Sequence, residues 1–596
     1  MFHITPTSEP EGGNRVPKAC FPCARAKVRC EIEHGAGICK RCQRLKKPCS
    51  GQIPGAHKRK EAQKSDVTRL EQKLDGVTAI LTTSERIGGP SFEGPALLSP
   101  TASVEHFIKT DGEAELILET YRSYMAPYFP FVVIPPNVDV NRFKEQKPVL
   151  FLTIAMVGCR HDRWQQSALG KRVREIISHK VLIKGEQSLD LLQGLLVYLA
   201  WYHFHLHLGN QLTNLTYLTI SMMTDLGLYK EPNSKSRLRY ANGSLKHFRK
   251  DPTPAATRTL EERRAFLGCF YTSAVVSICA RDIETVRYSK YAEECCHILG
   301  ETAEYSSDQY LVQLIRLYCL GEKINRTLNH DEIDTSSGLS TPIGACVKLF
   351  EVELRRLKAS LPLDMPQSSK FHSSQNHPTL TEQAILLVNY HAIEIVLYEI
   401  ALNDNIDPIR YGSLPMTRLN MLHACLNGAK ACFELFYTTP VSIYFDLPHT
   451  VWALVGHAIA VTSMLTVFVS DGWDQNYVHN TLNFCSAIDT MAQKVEEAKE
   501  HAQTSIRQVN GSSNGSTPRI APEIFMTLAP KLQMIKEAHE ARRLAQLKTL
   551  DNSQVATPSE GSIPAAAAAG FDDDPTMPGA AALFEFLDDS FWQQFT

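Results

Sequence analysis

Six cysteines within the first fifty residues constrain this chain more than any other feature. Cys20, Cys23, Cys30, Cys39, Cys42 and Cys49 follow C-x2-C-x6-C-x8-C-x2-C-x6-C, two copies of one half-pattern. The opening residues, "MFHITPTSEPEGGNRVPK", contain no apolar run of the kind a secretory signal needs, so the thiols are expected to be reduced. Paired C-x2-C turns among reduced thiols point to zinc, because a short turn presents two thiolates to one ion. A structural zinc ion closes a tetrahedron with four ligands. One ion would leave two sulfurs idle, whereas two ions need eight ligand positions, which six sulfurs fill if two of them bridge. The internal symmetry nominates the first cysteine of each half, Cys20 and Cys39, as the bridging pair. Two zinc ions are the expected cofactors.

The charge around these cysteines is one-sided. Arg15 to Lys60 holds 13 lysine and arginine residues against two glutamates, Glu31 and Glu33, in a chain whose net charge is −2. Six thiolates on two zinc ions remove two positive charges, which leaves the module near +9. A surface of that sign binds a phosphate backbone by counterion release. The segments "ARAKVR" and "QRLKKP" place a short basic helix after each C-x2-C turn. Arg25, Arg29, Arg44 and Lys46 are the candidate phosphate contacts, and Lys27 is the candidate reader of guanine O6 and N7 in the major groove. Double-stranded DNA is thus the expected partner.

Residues 19–50 resemble the DNA-binding domain of the fungal binuclear zinc-cluster transcription factors, at all six cysteines and at the basic helix between the second and third. In that family the first and fourth cysteines bridge the two zinc ions, which falls on Cys20 and Cys39 here. The base-reading lysine falls on Lys27, and the resemblance implies CGG-type triplets, often as paired half-sites. Two positions depart from the common pattern. Ala24 and Ala26 stand where many members carry basic residues, and the loop from Glu31 to Ile38 lacks the usual proline, with Gly35 and Gly37 in its place.

After a basic linker (51–66) that includes "HKRK", a nuclear localisation candidate, "VTRLEQKLDGVTAILTTS" sets Val67, Leu74 and Leu81 at heptad position a and Leu70 and Val77 at d. This seam, residues 67–84, predicts a short coiled coil and hence a homodimer, though Gly76 costs about 1 kcal/mol of helix stability. An amphipathic helix packed on the body is the alternative. A second linker occupies 85–105.

From 106 to 550 long apolar-periodic segments, separated by polar or proline-containing turns, predict a large all-α body. The helical stretches include Leu116 to Met125, Leu191 to Leu228, Leu260 to Cys279, Thr381 to Asn403 and Met421 to Tyr437. The passages "YLAWYHFHLHLGNQLTNLTYLTISMMTDLGLYKEP" and "RTLEERRAFLGCFYTSAVVS" resemble the middle homology region of the same family, a helical regulatory domain, and a small-molecule effector is among the partners it implies. The family's arginine-then-aromatic pairing is altered here to Arg263-Arg264-Ala265-Phe266-Leu267.

Several features read as structural. Ten further cysteines, including Cys159, Cys269, Cys295, Cys296 and Cys425, lack ligand spacing and are expected to be buried small hydrophobes. The apolar stretch Val451 to Ser470 is long enough for a bilayer but contains His457 and lacks basic flanks, so a core helix is expected and no membrane partner. His203 and His207 would share a helix face, but with no carboxylate or cysteine beside them they read as interior histidines. No Walker loop, G-x-G-x-x-G or H-E-x-x-H pattern is present, and the G-x-S-x-G match at Gly511 to Gly515 lies in the polar stretch "NGSSNGS", which reads as a flexible loop and not as a strand-to-helix elbow, so no enzyme is expected.

The tail (551–596) ends in "FDDDPTMPGAAALFEFLDDSFWQQFT". Phe584, Phe586, Leu587, Phe591 and Trp592 interleave with acidic residues, and there is no lysine or arginine. This is the composition of a disordered activation segment that docks on a coactivator groove. The whole therefore predicts a mainly α chain: a disordered N-terminus (1–18), zinc cluster (19–50), linker, coiled coil, linker, helical body (106–550) and acidic tail. Its expected role is that of a nuclear, sequence-specific transcription activator, most simply of a secondary-metabolite gene cluster. A regulator of nutrient use or stress resistance, a repressor, and a zinc-binding scaffold without DNA specificity are the alternatives.

Overall fold

The computed structural model describes residues 20, 23, 30, 38–46, 48 and 49 of the N-terminal region. In the remainder it describes 107–108, 110–159, 163–231, 257–280, 283–328, 343–361, 378–403, 406, 411, 417–509 and 523–554. The chain divides into two compact units, residues 1–100 and 101–596. Among the described residues the secondary structure is helical throughout.

In the first unit one helix, α1 (Lys40–Arg44), begins at Cys39, whose Sγ accepts the Cys42 N–H and caps the turn. The expected basic helix between Cys42 and Cys49 is corrected by this. The helix starts earlier because Cys39 caps it, and it is over by Lys46, where φ reaches +48° and the chain leaves helical space.

The second unit opens with α2 (Asp111–Thr120), which widens into Tyr121–Met125 and tightens into Ala126–Tyr128. Then follow α3 (Val140–Gln146), α4 (Pro148–Gly158), α5 (Arg163–Ile177), a wide turn (Ser178–Ile183), α6 (Leu189–Ala200) and α7 (Leu212–Asp225). α8 (Leu260–Ala280), α9 (Lys290–Thr302), α10 (Ser307–Thr327), α11 (Ile343–Ser360), α12 (Pro378–Tyr398) and α13 (Thr417–Thr438) come next. The last are α14 (His449–Val467), α15 (Gln475–Thr481), α16 (Phe484–Val509) and α17 (Glu523–Gln554).

Two helices are apolar on nearly every face and sit inside: α4 buries Val149 to Val157 and α6 buries Leu191 to Ala200. They pack against each other, α6 leans on α8, and α8 continues through α10 to α12 and α13. The start of α4 shows how sequence neighbours are replaced by tertiary ones. Pro148 opens the helix, and the Asp190 carboxylate of α6 accepts the Val149 and Leu150 N–H groups at 3.1 and 2.8 Å, satisfying donors that no local residue caps.

An aromatic seam joins early and late elements. Trp201 contacts Tyr121 and Phe129 edge-on, Phe131 stacks on Tyr271, and Tyr271 meets Tyr318 at 4.9 Å. Buried polar ends find partners: Trp201 Nε1 donates to the Asp446 carbonyl at 3.1 Å, and Tyr318 Oη to Asn389 Oδ1 at 2.8 Å.

The expected helix from Leu191 to Leu228 is three pieces. Trp201 leaves helical geometry with φ −120° and ψ 36°, Tyr202–Leu208 forms a tight three-residue-per-turn helix, and Gly209 (φ +91°) turns the chain into α7. His203 and His207 therefore do not stand at four-residue α-helical spacing. His203 stacks on His449, and His205 on Tyr198 at 5.1 Å, both buried. The membrane-length stretch is α14, 72% buried within its most apolar window, and Thr381–Leu402, a second apolar helix of that length, is 83% buried. Both are core helices. Of the ten scattered cysteines eight are buried, while Cys319 and Cys485 are half-buried.

The two passages that resemble the middle homology region touch. Arg258 donates to the carbonyl of Gly227, where φ is +65°, and Arg263 pairs with Glu231 at 3.1 Å. Arg264 reaches the other way, to Asp308 at 2.7 Å and Glu304 at 2.9 Å, and its guanidinium lies over the Tyr305 ring. Asp308 is fully buried and also accepts the Tyr305 N–H.

Candidate metal centre and basic module

Cys20, Cys23, Cys39 and Cys42 bring their sulfur atoms within 4.8 Å of one another, all four buried, and form the one such ligand group among the described residues. The Sγ–Sγ separations are 3.7 Å for Cys20–Cys39, Cys20–Cys42 and Cys23–Cys39. That is far longer than the ~2.05 Å of a disulfide. It is instead the edge of a tetrahedron, which for a zinc–sulfur bond of ~2.3 Å comes to ~3.8 Å. The donor set and its spacing therefore fit a thiolate-bound metal.

The arrangement is internally repeated. Cys20 N–H donates to Cys30 Sγ and Cys39 N–H donates to Cys49 Sγ, each at 3.4 Å and each across ten residues. Cys30 and Cys49, half-exposed, pack against the central four. Cys20 lies beside both cysteines of the second C-x2-C, and Cys39 beside both of the first. These are the contacts a sulfur shared between the halves must make.

Backbone donors near the sulfurs bias their ionisation. The Cys39 thiol is pulled down to about 6, first by the Cys42 N–H that donates to it. Desolvation pushes Cys20 up, and Cys42 up to about 12. Assembling all these thiolates without a cation is unfavourable, so metal binding would release protons and weaken as pH falls.

Of the expected DNA contacts, Arg44 and Lys46 are exposed on and just beyond α1 and make no ion pair among the described residues. Arg25, Lys27 and Arg29 lie outside the described residues. So do the seam positions Val67, Leu70, Leu74, Val77 and Leu81 and the tail positions Phe584, Phe586, Leu587, Phe591 and Trp592. Sequence reasoning missed the two N–H to sulfur bonds, though the doubled ten-residue spacing from Cys20 to Cys30 and from Cys39 to Cys49 carried the signal.

A family model described as the WAR1 C-terminal domain matches residues 98–376, and a second, described as a C-terminal domain, matches residues 441–567. Transcription factor opdL of Penicillium oxalicum is 27% identical, over 80% of this chain and 83% of its own. Transcription factor himD of Aspergillus japonicus is 28% identical, over 76% and 74%. The chain is thus similar, over most of its length, to fungal transcription factors. Transcriptional regulator WAR1 of Candida albicans is similar over half of this chain, at 24% identity. No solved structure matches. These relatives are named as transcription factors or transcriptional regulators, not as enzymes.

Proposed function

We propose that this transcription factor reads DNA through a cluster of two zinc ions held by Cys20, Cys23, Cys30, Cys39, Cys42 and Cys49, with Cys20 and Cys39 shared. The observation that carries the reading is the repeated sulfur geometry, in which each first cysteine sits beside both cysteines of the other half. Zinc would supply folding free energy here rather than chemistry. Lys27 reads a CGG-type triplet, while Arg25, Arg29, Arg44 and Lys46 hold phosphates. The seam at 67–84 pairs two copies, so that two half-sites are read by a homodimer. The helical body (106–550) regulates the factor in response to a small-molecule effector, and the tail (551–596) recruits coactivators through its interleaved aromatics. The factor works in the nucleus as a pathway-specific activator, most simply of a secondary-metabolite gene cluster.

The deciding experiment is selection of duplexes from a random library by the full chain, with zinc and after chelation, alongside native mass spectrometry. Enrichment of paired CGG-like triplets only with zinc, at two ions per chain, is the expected result. A zinc-loaded protein that enriches no sequence would overturn the reading.

A further inference from the structure

The wide turn Ser178–Ile183, between α5 and α6, presents what a folded surface usually hides. Leu182 and Ile183 are 71% and 74% exposed, two adjacent large aliphatic side chains turned to solvent. Lys184, Gly185 and Glu186 follow, so the stretch Ile183-Lys184-Gly185-Glu186 runs aliphatic residue, lysine, any residue, acid. Enzymes that attach the small ubiquitin-like modifier to lysine read this order of chemistry: an apolar patch takes the aliphatic side chain, a groove admits the lysine and basic residues hold the acid. Two such tetrapeptides occur in the chain. The other, Ile108-Lys109-Thr110-Asp111, buries its isoleucine to 4% exposure, and its Asp111 carboxylate already accepts Lys144 Nζ at 3.0 Å and Asn141 Nδ2 at 3.2 Å.

Every part of the 183–186 stretch is at the surface. The Lys184 side chain is 54% exposed and that of Glu186 39%, and a Cβ built on Gly185 would meet nothing within 4 Å. The backbone there is held as a helix end. Gly185 stands at φ +65°, Glu186 N–H donates to the Lys180 carbonyl at 2.8 Å, and Lys184 N–H donates to that of His179 at 2.9 Å. Glu186 pairs with Lys180 at 3.0 Å and with Lys184 at 3.8 Å. From Gly185 to Ser188 the chain is non-helical and leads into α6. Drawing Ile183 to Glu186 out into an enzyme groove therefore gives up two terminal backbone bonds and two surface ion pairs, interactions of the kind that fray easily, and uncovers no core side chain.

We propose that Lys184 is an acceptor for a small ubiquitin-like modifier, delivered as a thioester on a conjugating enzyme that takes Ile183 in an apolar patch and Glu186 in a basic one. The lysine ammonium gives up one proton to solvent. Its Nζ then adds to the thioester carbonyl of the modifier's C-terminal glycine. A C–N amide bond forms, the C–S bond breaks, and the departing enzyme thiolate takes up the second proton. Modifications that read lysine alone have no use for the exposed isoleucine or for the acid, so changing those two neighbours separates this reaction from acetyl or methyl transfer.

The test incubates the full zinc-loaded chain with the modifier, its activating and conjugating enzymes and ATP, without a ligase and without DNA. One modifier per chain is expected, mapped by peptide mass spectrometry to Lys184. Lys184→Arg should abolish that conjugate. Glu186→Gln and Ile183→Ser leave the lysine in place and should each slow its modification about tenfold. Lys109→Arg should change nothing. Positions 183, 184 and 186 lie at the surface, so unchanged melting curves serve as the folding control. No conjugate while the conjugating enzyme is visibly charged with modifier, conjugates that persist on other lysines in Lys184→Arg, or a Glu186→Gln chain modified as fast as wild type would overturn the proposal. Because no DNA is present, a failure here leaves the zinc-cluster reading untouched, and a failed duplex selection leaves this one untouched.

Discussion

The N-terminal cysteine module and the helical body keep water out of their interiors by different means. In the module the buried residues among those described are Cys20, Cys23, Cys39 and Cys42, with no aliphatic or aromatic side chain beneath them. In the body a continuous apolar core runs from Phe107 to Ile535 and is closed by pairs such as Arg264–Asp308 and Tyr318–Asn389. A unit too small for a hydrophobic core must be stapled by metal or disulfide. The body has no such need. One chain therefore contains a switchable fold and a self-sufficient one, and the difference can be tested piece by piece.

The largest effect should follow from removing the metal. Structural zinc contributes on the order of 10–16 kcal/mol of apparent folding free energy, so chelation or Cys39→Ser should unfold the module and abolish DNA binding. The calorimetric transition of the body should stay where it was. A body transition that fell with the metal would break the comparison.

Within the body, Arg264→Met leaves the buried Asp308 carboxylate without its cation and should cost about 3–5 kcal/mol by denaturant unfolding. Adding Asp308→Leu should restore much of that loss. A single variant as stable as wild type would show that the pair is not structural.

A pH effect of about 3 kcal/mol is expected at His539, whose ring is held by Ser463 and Thr466. Burial, reinforced by Arg543 and Arg542, lowers its pKa from 6.5 to about 4. The unfolded chain then binds the proton more readily than the folded one between pH 4 and 6.5. Stability from this group is fully present above pH 6.5 and is lost as pH falls through that window. His539→Asn should flatten this part of the stability–pH curve, and an unchanged slope would refute the assignment.

The smallest effect concerns the module's surface. Lys46→Ala should weaken matched and scrambled duplexes alike and reduce the salt slope by about one, whereas Lys27→Ala should cost about 1–3 kcal/mol on matched sites only. Equal behaviour of the two would erase the distinction between phosphate and base contacts.

How much of this was legible follows from the same comparison. Coordination is written in spacing, and the repeat already suggested that Cys20 and Cys39 stand close, as their Sγ separation of 3.7 Å shows. Buried helices such as α14 were legible because nearly continuous apolar runs have few other fates. The break at Trp201 was not, since what draws its indole out of the helix line is a carbonyl at Asp446. Arg264 and Asp308, 44 residues apart, leave no periodic trace. The basic stretch after the C-x2-C turn placed the helix too late, whereas the Cys39 sulfur caps it and starts it at Lys40.

The bond from Trp201 to Asp446 has a temporal consequence. It spans 245 residues, and a ribosome adding 5–20 residues per second takes roughly 12–50 s to cover that distance. Throughout that interval the indole and its ring partners Tyr121 and Phe129 are already made, while the carbonyl that accepts the indole N–H has still to be translated. For about two-fifths of its synthesis the newborn chain thus carries this indole without its acceptor, long after the cysteine module has been translated. This factor's yield in the cell depends on whatever shelters that indole during the wait.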